Sequence, residues 1–183
     1  MFPDLYLMRH GQTEWNLAGR LQGLRDSPLT ARGLAQAGRQ ARLIAGIGAA
    51  RYSSPQGRAV RTAEIVFGDM PFTTDDRLRE IDVGEFTGHS LEDLQRQRPE
   101  LFTGAPIDWY DRTPGGEHLE QLSARCRSFL AGLPGPALIV THGITLRMLR
   151  IHALGWPLSR IGELTVEQGA VHVIRNAAQE VWR

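Results

Sequence analysis

The chain contains 183 residues, 42% hydrophobic and 22% charged, which fits one compact globular domain over residues 1–183 and excludes a mainly disordered chain. Its 21 basic residues, all of them arginine, and 20 acidic residues leave a net charge of +1. A balance so close to neutral does not support a general nucleic-acid or membrane-surface role. We therefore expect no nucleic-acid and no membrane partner, and only local attraction for anions.

Cysteine content and apolar patterning indicate where the protein works. The single cysteine, Cys126, excludes an intramolecular disulfide, and no Cys/His cluster with the spacing of a zinc site is present. The N-terminal sequence has no basic start before a long apolar run, and no apolar stretch approaches the roughly 20 residues of a transmembrane helix. These features predict a soluble protein of the reducing cytoplasm.

The first half of the chain alternates between predicted strands and helices. Short apolar runs that end at Gly or Pro are typical of buried strands, and apolar residues at helical spacing after a Thr or Ser cap predict helices. The predicted elements are a strand in LYLMRH, a helix over 31–47 capped by Thr30, a strand in ARYSSP, a helix over 58–67, weaker strands at 72–74 and 78–81, and a short helix from Ser90 to Gln97.

The segment 99–116 contains prolines and aromatic residues and shows no periodicity. Stretches of this length without regular structure inside a compact domain are usually functional or mobile, so we predict a lid within 99–116. Trp109, Tyr110 and Arg112 are its candidates for substrate contact, although packing the segment itself is an equally good use of them.

The last third returns to the alternating pattern. An apolar stripe that includes Cys126 predicts a helix over 117–133, and PALIVTH is typical of a strand covered on both faces. A helix over 145–154 follows, and 164–166 with 171–174 predict a hairpin. Strands that alternate with helices predict an α/β fold, a three-layer α/β/α sandwich around a mainly parallel sheet.

Two predicted strands end in the same way, since LYLMRHG and ALIVTHG each place a histidine before a glycine. The carboxyl ends of strands in an open parallel sheet form the ligand crevice, so we expect His10 and His142 to meet there. Arg9 and Arg58, beside these turns, add guanidinium groups that can grip phosphoryl oxygens. A neutral His10 between these cations is suited to attack phosphorus and form a phosphohistidine.

The alkoxide that leaves a phosphate monoester needs a proton from a nearby acid. LREIDVGEFTG offers Glu80, Asp82 and Glu85, and spacing alone does not choose among them. A metal held by two histidines and one of these acids is the competing interpretation. Because no HxH or HExxH pattern accompanies the histidines, we expect no metal.

Five segments in order, LMRHGQTEWN, SSPQGRAVRTA, LREIDVGEFTG, TPGGE and VTHG, resemble the histidine phosphatase superfamily, also called the phosphoglycerate mutase-like family, and in particular its small bacterial phosphatases. The resemblance covers essentially the whole chain and implies a phosphoglycerate mutase-like fold. It implies that His10 is the phosphorylated nucleophile, and that Arg9, Arg58 and His142 complete the phosphate pocket. It places Glu80 at the position of the proton donor.

Polar residues after the first turn are the expected substrate contacts. Thr13, Asn16 and Gln22 can donate hydrogen bonds to a phosphate, although helix capping and turn formation fit them equally well. The resemblance implies that Asn16 and Gln22 lie near the bound phosphate. We expect Gly143, next to His142, to join them in binding substrate.

The interval between the acid and the second histidine indicates hydrolysis. His142 follows Glu80 by only 62 positions, whereas the cofactor-dependent phosphoglycerate mutases of this family carry extra chain there. A short lid excludes water from a phosphohistidine poorly. We therefore predict a phosphomonoesterase that acts on a small phosphorylated metabolite without a cofactor. The alternatives are a cofactor-dependent phosphoglycerate mutase and a non-catalytic phospho-ligand binding protein.

Overall fold

The structure, a computed structural model, describes residues 2–183. Its strands are β1 (Leu5–Arg9), β2 (Ala50–Ser53), β3 (Thr73–Thr74), β4 (Ala137–Thr141), β5 (Val171–Arg175) and β6 (Ala178–Trp182). Its α-helices are α1 (Glu14–Leu17), α2 (Ala31–Leu43), α3 (Gly57–Phe67), α4 (Leu91–Gln97), α5 (Leu119–Ala131) and α6 (Gly143–Leu154). Short 3₁₀ helices lie at Asp76–Leu78, Gly84–Phe86, Pro99–Phe102, Asp108–Arg112 and Leu158–Glu163. Within residues 2–183 no helix combines the length and the apolar character that a membrane crossing requires.

The strands form one mixed sheet in the order β3-β2-β4-β1-β5-β6. Strands β3, β2, β4 and β1 pair in parallel, β5 runs antiparallel to β1, and β6 runs antiparallel to β5. The predicted, mainly parallel sheet is therefore confirmed, with an antiparallel pair of strands added at one edge.

Both faces of the sheet are covered by helices. Along β1, Leu5 and Leu7 pack into one core with α5 and α6, whereas Tyr6 and Met8 pack into the other with α2 and α3. Successive side chains of a strand point to opposite faces, so the unbroken apolar run of β1 feeds both cores. The predicted α/β/α sandwich is confirmed.

The hairpin predicted from 164–166 and 171–174 is wrong. Strand β5 pairs with β6 instead, across a turn at Asn176 and Ala177 with φ values of 51° and 56°. Two-residue hairpin loops favour positive φ, but this one lacks the glycine that normally marks it in a sequence. The main-chain carbonyls of 164–166 instead accept hydrogen bonds from three arginines, Arg147, Arg150 and Arg9.

The weaker strand predicted over 78–81 is also absent. A 3₁₀ helix ends at Leu78, and the main-chain N–H of Glu80 donates to Oε1 of Gln56 over 2.7 Å rather than to a neighbouring strand. A side chain thus takes the place of a sheet partner, a substitution that local patterning does not reveal.

The segment 99–116 folds into two 3₁₀ helices rather than an irregular loop. Trp109 is buried, and its ring lies 6.3 Å from that of Phe86 and 5.6 Å from that of Phe102, measured between centroids. Arg112 donates to two main-chain carbonyls of the same segment. Trp109 and Arg112 therefore pack the segment, whereas Tyr110 lines the cavity beside His10.

Candidate active site

The site is built at the carboxyl ends of β1 and β4. These parallel strands lie side by side with Arg9 opposite Thr141, so His10 and His142 leave the sheet at the same edge. The main-chain N–H of His10 donates to the carbonyl of Thr141 over 2.9 Å. The two imidazole centroids are 5.1 Å apart. The structure thus brings together the two histidines that the sequence pattern paired.

Helix α2 fixes the turn that carries His10. A Cβ atom on Gly11 would lie 2.3 Å from the carbonyl oxygen of Gly33, so a side chain at position 11 would push the turn away from the helix. Gln40, fully buried in α2, donates from Nε2 to the carbonyl of Arg9 over 3.0 Å. The main chain is therefore fixed on both sides of His10, which holds its imidazole in one orientation.

His10 presents a neutral imidazole whose Nε2 carries a lone pair. Its Nδ1 lies 2.8 Å from the carbonyl oxygen of Gly11, which can only accept, so Nδ1 carries the proton and Nε2 the lone pair. Burial, and then the charges of Arg58 and Arg9, lower the pKa of His10 well below its usual value. The lone pair on Nε2 is therefore available near pH 7.

Arg58 is held against His10 by partners on three sides. Its Nη1 forms a salt bridge of 2.8 Å with Oδ1 of Asp26, and its Nη2 donates to the carbonyl of Gly23 over 3.0 Å. Its Nε donates to Nε2 of His10 over 3.3 Å. The Asp26 carboxylate also accepts from the main-chain N–H of Gly57 and Arg58 at the start of α3. These contacts direct one edge of the guanidinium toward the reactive nitrogen.

His142 is fully buried behind His10. Its Nε2 lies 2.7 Å from Oγ of Ser54, which directly follows β2, and its Nδ1 has no hydrogen-bond partner within residues 2–183. Burial, and then the charge of Arg58, lower the pKa of His142 well below its usual value. Three adjacent strands, β2, β4 and β1, therefore each contribute the residue after their last one. Ser54 was not among the predicted site residues, although the SSP that ends β2 is a usable signal.

A cavity of about 250 Å³ opens in front of His10. Of the residues predicted to form the site, those that line it are Arg9, His10, Asn16, Gln22, Arg58, Glu80 and Gly143. The buried Oε1 of Gln22 has no partner within residues 2–183. A larger cavity of about 480 Å³ lies beyond Arg58, between Asp26 and Arg61, and no histidine lines it.

Two predicted site residues do not line the 250 Å³ cavity. His142 lies behind His10, and Thr13 is the N-cap of α1, with its Oγ1 accepting from the main-chain N–H of Asn16 over 3.2 Å. Asn16 both completes this capping box and lines the cavity. Helix capping and substrate contact were the alternative roles for these residues. In the structure Thr13 caps the helix, whereas Asn16 is placed both to cap the helix and to contact a substrate.

The carboxylate of Glu80 lies at the amino end of α6. Its Oε2 accepts from the main-chain N–H of Ile144 over 3.2 Å, and its Oε1 accepts from those of Thr145 and Ile81, each over 3.1 Å. These donors fix the carboxyl group at the cavity wall. The side chain of Gln56 holds the main chain of Glu80 by accepting from its N–H. Sequence analysis did not detect Gln56, because the contact joins residues 24 positions apart.

Geometry separates the three acids that spacing left open. Glu80 lines the cavity in front of His10, Asp82 lines a neighbouring cavity, and Glu85 is exposed. Within residues 2–183 no group of three or more His, Cys, Asp or Glu side chains is arranged to hold a metal ion. The positive charges beside His10 are those of Arg9 and Arg58.

Comparison with known proteins agrees with this geometry. The sequence profile described as histidine phosphatase superfamily (branch 1) matches residues 5–182. A Salmonella paratyphi C protein named "Probable phosphoglycerate mutase GpmB" is 39% identical over 166 residues, which cover 84% of this chain and 76% of that protein.

Solved structures resemble the chain over nearly its whole length. The alpha-ribazole phosphatase from Shigella flexneri has a TM-score of 0.83 at 28% identity, covering 96% of this chain and 93% of that one. TTHB049 from Thermus thermophilus has a TM-score of 0.73 at 36% identity, covering 94% and 93%. The chain therefore belongs to the histidine phosphatase superfamily (branch 1).

Proposed function

We propose that the protein hydrolyses a small phosphomonoester with His10 as its nucleophile. The observation that carries this proposal is the Nε2 lone pair of a neutral, buried imidazole, 3.3 Å from Nε of Arg58. Nε2 attacks phosphorus, the bond from phosphorus to the alcohol oxygen breaks, and a phosphohistidine forms. Water then attacks phosphorus, which releases phosphate and restores neutral His10.

The phosphate pocket consists of Arg9, Arg58 and His142. The arginines bind non-bridging oxygens of the phosphoryl group and offset their charge as the new bond forms. If the Ser54 hydroxyl donates to Nε2 of His142, the single proton of the neutral ring is on Nδ1, which has no other partner within residues 2–183. Gln22, Asn16 and Gly143 supply further contacts from the cavity wall.

Glu80 acts as the proton donor in the first step and as the base in the second. Protonated Glu80 transfers its proton to the departing alkoxide, and the resulting carboxylate takes a proton from the attacking water. Its position at the wall of the same cavity as His10 supports this role. The fixed main-chain donors around it hold the carboxyl group in place through both steps.

The segment 99–116 is the proposed lid of this site. Tyr110 extends from it to the cavity wall, while Trp109 anchors it on the core. We also propose that residues 1–183 act as a single domain in the cytoplasm, without a cofactor. The buried free thiol of Cys126 fits a reducing compartment.

Two products distinguish hydrolysis from the alternatives. We expect release of inorganic phosphate from phosphomonoesters to be faster than interconversion of 2- and 3-phosphoglycerate. Efficient interconversion stimulated by 2,3-bisphosphoglycerate would assign the protein to the mutases. Stoichiometric binding of a phosphomonoester, with neither phosphate release nor a labelled phosphoenzyme, would make it a binding protein.

A further inference from the structure

Arg147 lies in the active-site cavity but outside the group that surrounds His10. It is in α6, five positions after His142, and its partly buried side chain lines the cavity together with Arg9 and Tyr110. Its Nε donates to the carbonyl of Leu164 over 2.8 Å, and this is its only side-chain hydrogen bond within residues 2–183. The bond holds the guanidinium in place and leaves both Nη groups without a partner.

Arg147 acts electrostatically on Arg9, the neighbouring arginine of the same cavity. Burial lowers the pKa of Arg9, and the charge of Arg147 lowers it further. The pKa of His10, by contrast, is lowered by burial, Arg58 and Arg9. Arg147 therefore shares the cavity with Arg9 and His10 without being among the charges that lower the pKa of His10, and we place the alcohol part of the substrate beside it.

The neighbouring Tyr110 adds a neutral donor. Burial raises the pKa of Tyr110, so its hydroxyl keeps its proton at neutral pH. A partly buried guanidinium with two free Nη groups and no acidic partner is a strong binding group for a carboxylate or phosphate. Leu21, Val83 and Val166 add apolar lining, and the wall also contains Arg20 and one acid, Glu80, whose carboxylate accepts from main-chain N–H groups at the start of α6.

We propose that Arg147, assisted by Tyr110, is a second anion subsite, so the substrate is a small phosphomonoester with a carboxylate or similar anionic group beyond its ester oxygen. The proposal rests on the proposed phosphatase function. It explains why an arginine is held in the cavity at a place where the transferred phosphate is already served by Arg9 and Arg58.

Matched substrates test the subsite. In one pair, 3-phosphoglycerate and glycerol 3-phosphate differ by a carboxylate in place of a hydroxymethyl group. In the other, phosphoglycolate and ethyl phosphate differ by a carboxylate in place of a methyl group. In each pair the acidic member is the ester with the carboxylate, and the neutral member is the ester without it. The readout is the ratio of kcat/KM for phosphate release between the acidic and the neutral member. An internal ratio is insensitive to the fraction of enzyme that folds.

We expect the wild-type enzyme to prefer the acidic member of both pairs. Arg147→Gln should lower both ratios about 10- to 100-fold, the range of a charge-assisted bidentate contact. Arg147→Lys, which keeps the charge and loses the planar fork, should lower them less. Arg42→Gln, at an exposed position of α2, removes the same charge far from the cavity and should leave both ratios unchanged.

Other outcomes overturn the subsite or the function separately. Equal losses on both members after Arg147→Gln, with unchanged ratios, would assign Arg147 to the transferred phosphate or to the fold. A wild-type enzyme that hydrolyses the neutral members as well as the acidic ones would overturn the subsite and leave the phosphatase function intact. No phosphate release from these four esters or from p-nitrophenyl phosphate would overturn the phosphatase function itself.

Discussion

Two groups of histidine and arginine lie at different places along α6, one at its amino end beside His142 and one around Arg150. The active-site cluster consists of His10, His142, Arg9 and Arg58. The second cluster consists of His172, on β5 opposite Leu7, and Arg150 of α6. His172 is fully buried, and burial followed by the charge of Arg150 lowers its pKa to about 4.

The two clusters share burial and a lowered histidine pKa, yet they differ in what surrounds them. Both ring nitrogens of His172 lack partners within residues 2–183, and neither the 250 Å³ nor the 480 Å³ cavity borders it. Both Nη groups of Arg150 are engaged, by the carbonyl of Thr165 and the side chain of Gln179. A depressed pKa therefore follows from burial in either place. Both Nη groups of Arg58 are engaged as well. The active-site cluster is distinguished by the cavity in front of His10, which Arg9 and Arg58 also line.

Replacing one histidine from each cluster gives the largest expected contrast. His10→Ala should abolish both turnover and the acid-labile phosphoenzyme, because within residues 2–183 no other histidine and no cysteine, serine or threonine lines this cavity. His172→Leu should retain both, since His172 lines neither the 250 Å³ nor the 480 Å³ cavity. The measurement is phosphate release together with labelling by a ³²P-phosphomonoester. Substantial activity in His10→Ala would remove His10 from the nucleophile role.

The next largest effect separates Glu80 from the other acids. An alkyl alcohol leaves phosphorus slowly without a proton, and a well-placed general acid contributes about 10²- to 10⁴-fold, whereas p-nitrophenol leaves readily as its anion. Glu80→Gln should therefore slow hydrolysis of an alkyl phosphate by about that factor and slow p-nitrophenyl phosphate far less, provided that phosphorylation of His10 limits both rates.

Glu85→Gln is the matched control, because it makes the same chemical change at an exposed position outside the cavity. It should leave both rates close to those of the wild type. Equal losses on both substrates in Glu80→Gln would make Glu80 a positioning residue. A selective loss on the alkyl phosphate in Asp82→Asn would transfer the proton-donor role to Asp82.

The active-site cluster was more predictable from the sequence than its surroundings. His10 and His142 each follow an apolar run and precede a glycine, so local pattern and the geometry of parallel strands suffice to pair them. The sequence did not predict Gln56, Asp26 or Arg147 as site residues, because their roles depend on contacts between distant parts of the chain. The same reason explains the wrong prediction of a hairpin from 164–166 and 171–174. The main-chain carbonyls of 164–166 accept from guanidinium groups, and no local sequence pattern indicates such contacts.

The second cluster should make the stability of the protein depend on pH. With a folded pKa of about 4 and an unfolded pKa of about 6.5, His172 binds more protons in the unfolded chain, so stability falls as the pH drops below 6.5. The titration of His172 alone lowers the free energy of unfolding by about 2 kcal/mol between pH 7 and pH 5.

His172→Leu should remove that part of the pH dependence. Relative to the wild type, the free energy of unfolding of the variant should be about 2 kcal/mol higher at pH 5 than at pH 7. Urea unfolding of both proteins at both pH values measures this difference. Any change in packing affects both measurements equally and cancels. Parallel curves for the two proteins would mean that His172 does not titrate in this range.

The smallest expected effect concerns the source of positive charge in the active-site cluster. If Arg9 and Arg58 offset the charge of the transferring phosphoryl group, no divalent ion is required, and exhaustive chelation should leave kcat/KM unchanged. The two clusters differ here, because Arg9 and Arg58 line the cavity in front of His10, whereas Arg150 lines neither that cavity nor the 480 Å³ one. Activity that is lost on chelation and restored by zinc, magnesium or manganese would give that role to a metal, and the arginines would then serve to orient the phosphate.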